Sequence, residues 1–200
     1  MKHMIRILTA AAAAIAVLAG CSSVKRVSPD TVTDLSGYWN DTDVRIVADS
    51  LIADCLNAPA IARYTAENGR LPVVIVGSFT NDSDEHIDTG ILTTKLEAAL
   101  VNSGKVDFVA DASTRMDLRA EREAQQAWAS EETAKSLANE TGADFMLVGS
   151  VKTIVDSYDN ETTRTYQVSA ELIDIETNRK LWIGINDEIK KFITRSSARF

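Results

Sequence analysis

The densest run of chemically capable side chains is Asn81-Asp82-Ser83-Asp84-Glu85-His86-Ile87-Asp88, four carboxylates around one imidazole. It follows a β-branched stretch directly, and loops at strand ends often hold active sites. A calcium loop would need the EF-hand's glycine and terminal glutamate, which are missing at the required spacing. Zinc would find one imidazole and no thiolate. An acid–base pair of His86 with Asp88 is chemically possible. The plain alternative is a solvated strand-to-helix loop that also caps the next helix, and the sequence favours it. No G-x-G-x-x-G, phosphate-binding loop or G-x-S-x-G elbow occurs, and Gly149-Ser150 reads as a packing glycine inside a strand. The expectation is therefore no catalytic residue, no metal ligand and no cofactor.

A second feature is a thiol at a defined place. Lys2 and Arg6 precede an alanine-rich run that ends in Leu18-Ala19-Gly20-Cys21. The run, about 13 residues, is too short for a hydrocarbon core of roughly 30 Å and has the form of a secretory signal. Leu18–Cys21 resembles the bacterial lipobox, with cleavage between Gly20 and Cys21 and acylation of Cys21. Several acyl chains, at about 0.8 kcal/mol per methylene, make such anchoring stable. Ser22 stands where Asp would favour inner-membrane retention, so the outer membrane is the expected address. Cys55 has no intramolecular partner left; it lies on the apolar face of a helix and reads as a small buried hydrophobe.

Composition narrows the classes further. The 200 residues are 45% hydrophobic and 25% charged, which suits one globular domain rather than disorder. The net charge of −8 becomes −10 once Lys2 and Arg6 leave, which disfavours nucleic acid as a partner. Two cysteines and two histidines supply neither a disulfide framework nor a His-rich metal site. Three parts follow: residues 1–20 as signal, 21–36 as lipidated cysteine and flexible linker, and 37–200 as the globular body. Ser22 to Ser36 reaches at most about 50 Å when extended.

The elements that would position these residues can be read from periodicity. Asn40 or Asp41 caps a helix whose stripe is Val44, Val47, Ala48, Leu51, Ile52 and Cys55. Leu71–Phe79 is a strand buried on both faces. Gly90–Val101 is a helix with Leu92, Leu96 and Leu100 in a row and Gly104 as its stop. Val106–Val109 is a short strand. Residues 113–128 form a helix of mixed charge, with Arg115, Arg119 and Arg122 on a solvated face. Ser130 opens another helix that ends at Gly142. Phe145–Val155, Tyr166–Leu172 and Leu181–Ile185 are strands joined by turns at Tyr158–Glu161 and Thr177–Arg179. The tail from Lys190 is basic and frays. Helices first and an antiparallel meander last predict a two-layer α/β sandwich with a mixed sheet. Tyr38-Trp39 is expected to staple the first helix and Trp182 to sit in the core.

Several segments together carry a family resemblance: Leu35–Asp41, Val76–Phe79 with Asn81, Glu85–Thr89, Ser103–Val109, Ser130–Lys135, Gly142–Leu147, Gly149–Val151 and Leu172–Thr177. In this order and spacing the chain resembles the LpoB-type lipoprotein activators of penicillin-binding proteins. The resemblance implies a domain like the N-terminal domain of TolB, lipid-tethered to the inner, periplasmic leaflet of the outer membrane. It also implies a class A penicillin-binding protein, a bifunctional peptidoglycan synthase, as the partner. No enzyme activity, cofactor, nucleic acid or small-molecule substrate is implied. The well-known members have a much longer, proline-rich linker. The rival reading is a structural subunit of a secretion or envelope assembly, like the curli-secretion lipoproteins. It would need spare membrane-spanning hairpins, whereas this chain is expected to spend all its strands on the core sheet.

Overall fold

The computed structural model describes residues 24–110, 112–128 and 142–195, with side chains from 114 to 125 in the middle segment. Gly20 and Cys21 lie outside the described residues, as do 130–141 of the helix expected to open at Ser130.

Helix α1 (Asp41–Leu56) begins in a reciprocal capping box. Asn40 Oδ1 accepts the N–H groups of Thr42 and Asp43, and Asp43 Oδ2 accepts the Asn40 N–H at 3.0 Å. Its expected stripe faces the core, where Val47, Ala48, Leu51 and Cys55 are buried. Helix α2 (Pro59–Asn68) is absent from the sequence reading. Only Ala60 and Ile61 are buried, so its apolar stripe is too thin to detect. The overlooked signals are a proline in the first turn and Gly69 in the left-handed region just past the end.

Strand β1 (Val73–Asn81) carries a one-residue bulge between Val76 and Phe79. Helix α3 (Thr89–Asn102) buries Leu92, Leu96 and Leu100, and strand β2 (Asp107–Phe108) follows it. No described side chain of helix α4 (Ala112–Trp128) is buried, as its mixed charge suggests. Strands β3 (Phe145–Tyr158) and β4 (Glu161–Asp174) form a hairpin of 14 paired positions around Asp159-Asn160. Strands β5 (Lys180–Asn186) and β6 (Lys190–Thr194) complete the sheet.

The sheet runs β2-β1-β3-β4-β5, with β1 parallel to β2 and β3 and the later pairs antiparallel. This is the mixed sheet ending in a meander that the sequence suggests. One expectation fails: the segment from Lys190 does not fray. It pairs with Glu161–Thr165 of β4, beyond the stretch that pairs with β5, and the Tyr166 N–H donates to Ile189 O between the two at 2.9 Å. Helix α1 packs on β4, β5 and α3, and α3 packs on β1 and β2. Their shared face of the sheet buries Val74, Leu147, Val151, Tyr166, Val168 and Leu172. A Cβ on Gly149 would meet Phe79 at 2.3 Å and Ser169 O at 2.4 Å, so this glycine is a packing residue.

The outer half of the β3–β4 hairpin departs from the expectation that every strand is spent on the core. Beyond Lys152 and Gln167 its outer neighbour in the sheet is β6, and Ile154, Val155 and Tyr158 are exposed.

Candidate functional site

The acidic loop is held to the sheet by one cation. Arg164 of β4 points its Nη1 between Asp84 Oδ1 (2.6 Å) and Glu85 Oε1 (2.7 Å). Glu85 Oε1 also accepts the Tyr166 hydroxyl at 2.5 Å, and its Oε2 accepts the Trp39 N–H at 3.0 Å. Asp84 Oδ1 accepts Thr153 Oγ1 at 2.6 Å. That bond first, and Arg164 second, hold the Asp84 carboxyl below its ordinary range. Burial, reinforced by the bond to Glu85, raises the Tyr166 hydroxyl. Ile87 anchors the loop in the core, and Asp88 caps α3 by accepting the Gly90 N–H at 2.9 Å.

That arrangement decides the chemistry. Glu85 is saturated by donors, Asp84 is ion-paired, and Asp88 is committed to a helix end. His86 is exposed, and no hydrogen bond links it to Asp88. The His86–Asp88 acid–base pair is therefore not assembled, and the loop is the capping structure the sequence favours. Among the described residues no group of three or more His, Cys, Asp or Glu could hold a metal ion.

The same network captures the chain ahead of α1. Lys191 of β6 donates to Asp43 Oδ2 (2.6 Å), Asp34 Oδ1 (2.8 Å) and Tyr38 O (2.8 Å). Burial outweighs this partner at Asp43 and raises its carboxyl, whereas Lys191 and then Asn40 lower that of Asp34. Trp39 packs on the core with its ring 5.2 Å from Tyr166, which is the staple expected of it. Tyr38 stays partly exposed with the Arg164 guanidinium 5.0 Å from its ring. Trp182 packs against the core and donates Nε1–H to Asp54 at 3.1 Å. Cys55 is buried, which pushes its thiol up to about 12, the state of an inert hydrophobe.

Sequence reasoning missed Arg164 and Lys191, the two buried cations that organise this region. Arg164 lies in residues 162–165, which the sequence reading assigns to no element, and Lys191 in the expected tail, and nothing local marks their partners. A groove of about 600 Å³ beside α2, lined by Leu56, Ile61, Thr65 and Leu71, is apolar and carries no catalytic constellation. Lys105 at its rim is spent on Leu56 O and Asn57 Oδ1.

Comparison with known proteins supplies the family. The family model described as peptidoglycan-synthase activator LpoB matches residues 43–187. A search of curated protein sequences finds no match. Among solved structures, the LpoB C-terminal domain of Salmonella enterica is 19% identical, covering 69% of this chain and 95% of its own, with a TM-score of 0.34. The Escherichia coli domain is 18% identical with the same coverage, 69% and 95%, and a TM-score of 0.36. A lipoprotein of Neisseria meningitidis is 15% identical over 64% of this chain and 88% of its own, with a TM-score of 0.37. Assignment rests on the family model, which spans most of the chain: this protein belongs to the peptidoglycan-synthase activator LpoB family, a family of regulators rather than catalysts.

Proposed function

We propose that the chain is an outer-membrane lipoprotein, acylated at Cys21 after cleavage behind Gly20, that binds a class A penicillin-binding protein. It stimulates peptidoglycan synthesis by contact, with no cofactor and no reaction of its own. The observation that carries this reading is the family match over residues 43–187. It is supported by the structural use of the Asp82–Asp88 run, where Arg164 pairs Asp84 and Glu85 and Asp88 caps α3. Activation by binding requires that the chain prefer the active state of the synthase over the inactive one.

The tether limits where that contact occurs. Asp34 is ion-paired to Lys191 of β6, so on this reading residues 22–32 are what is left as tether between lipid and body. Fully extended, these reach about 35–40 Å. The synthase must therefore meet the activator close to the outer membrane, through a part of itself that projects outward.

The test is reconstitution of the full, lipidated chain in detergent with purified class A penicillin-binding proteins of the same organism. The polymerisation rate of lipid-linked precursor is measured. A saturable rise that weakens with added salt is expected, because the body is strongly acidic. His86→Ala retains the full effect. No rise with any class A enzyme overturns the reading.

A further inference from the structure

The sheet has two faces, and α1 and α3 cover only one. Residues directly paired across antiparallel strands share a face. The outer hairpin thus places Ile154, Asp156 and Tyr158 of β3, with Glu161 of β4 and Phe192 of β6, on the face opposite α1 and α3. Phe192 lies across Thr163 from Asp156, and Tyr158 lies across from Glu161. Ile154 is 68% exposed, Tyr158 85% and Phe192 63%, whereas Tyr166 on the opposite face of the same hairpin is 0%. Scattered exposed apolar residues are ordinary, but three in adjoining rows at the end of one arm form a patch.

The charges around the patch say what it fits. Asp156, Asp159 and Glu161 at the tip are exposed and make no ion pair among the described residues, unlike Asp84 and Glu85. Lys190 shares the row of Ile154, the two flanking Thr165. A second copy would bring like tips together between mature chains that each carry −10, so self-association is opposed. An anionic lipid surface is disfavoured for the same reason.

Resting on the activator reading, we infer that this outer β3–β4–β6 face is the surface that docks the synthase. Tyr158, Ile154 and Phe192 are its anchors. It takes a folded protein surface with an aliphatic or aromatic centre, whose Lys or Arg rim meets Asp156, Asp159 and Glu161. Exposed aromatic anchors ringed by charge are the residue types that dominate such contacts.

The experiment measures the Kd and association rate of the full chain, in detergent, for a solubilised class A penicillin-binding protein. Tyr158→Ala with Phe192→Ala is expected to weaken binding at least about tenfold while the melting temperature holds, since both side chains are exposed. Asp156→Asn with Glu161→Gln slows association severalfold and flattens its salt dependence. Binding of the unmodified chain that survives the aromatic substitutions unchanged overturns the docking surface and leaves the activator reading standing. Absence of binding by the unmodified chain overturns both. Self-association that Tyr158→Ala abolishes assigns the face to a second copy and overturns the inference.

Discussion

Two turns of this protein are rich in carboxylates and meet opposite fates. The loop at Asp82–Asp88 lies over the helix-covered side of the sheet, where Arg164, Thr153, Tyr166 and the Trp39 N–H absorb its acids. The hairpin tip at Asp156–Glu161 finds no such partners among the described residues. Composition does not separate the two. What separates them is whether a buried cation lies opposite, because a carboxylate moved out of water must be neutralised or hydrogen-bonded, whereas one left in water need not be. The loop's acids are structural, and the tip's acids are free to meet another molecule.

The strongest way to break the comparison is Arg164→Ala. It leaves Glu85, whose side chain is only 9% exposed, without its cation. Loss of about 3–5 kcal/mol of stability is expected in urea unfolding. Arg164→Met combined with Glu85→Gln recovers part of that loss in a double-mutant cycle, because no buried charge is then stranded.

Acid titration sharpens the same point at a second structural acid. Asp144 accepts two bonds from Arg70, at 2.7 and 2.8 Å, and the Val73 N–H at 2.8 Å. Arg70 first of all holds its carboxyl down at about 2. A depressed carboxyl stabilises the fold above its unfolded pKa of about 3.9, and that contribution is lost as pH falls through the folded value. Arg70 is half-exposed, so the effect is about 1 kcal/mol, spread between about pH 4 and pH 2. Urea midpoints at pH 5 and pH 2 measure it, and Asp144→Asn removes that part of the pH slope.

The smallest effect belongs to the tip. Asp156→Asn, Asp159→Asn and Glu161→Gln together should change unfolding free energy by no more than about 0.5 kcal/mol, since no native partner is removed. Asn also tolerates the left-handed φ of 53° at Asp159. A loss comparable to Arg164→Ala would show that the two turns are alike after all.

Local features were legible wherever the chain solves its problem with near neighbours. The α1 stripe, the Asn40 and Asp88 caps, the Gly104 stop and the alternation of Tyr166, Val168, Ala170 and Leu172 all depend on spacings of a few residues. The hairpin's true length was not legible, because its outer half is held by backbone pairing and its exposed side chains lose the alternation a core imposes. Strand β6 was hidden for a related reason. Its two lysines read as a solvated tail, and only β4, together with Asp43 and Asp34 roughly 150 residues earlier, makes a buried Lys191 tolerable.

The sequence by itself determined the fold class, the order of most elements and the absence of recognised catalytic motifs, because these follow from periodicity, capping and short-range spacing. The tertiary structure alone decided which acids are paired among the described residues, and which face of the sheet α1 and α3 cover. Those outcomes depend on pairings between residues far apart in the chain, where burial sets the cost of an unpartnered charge.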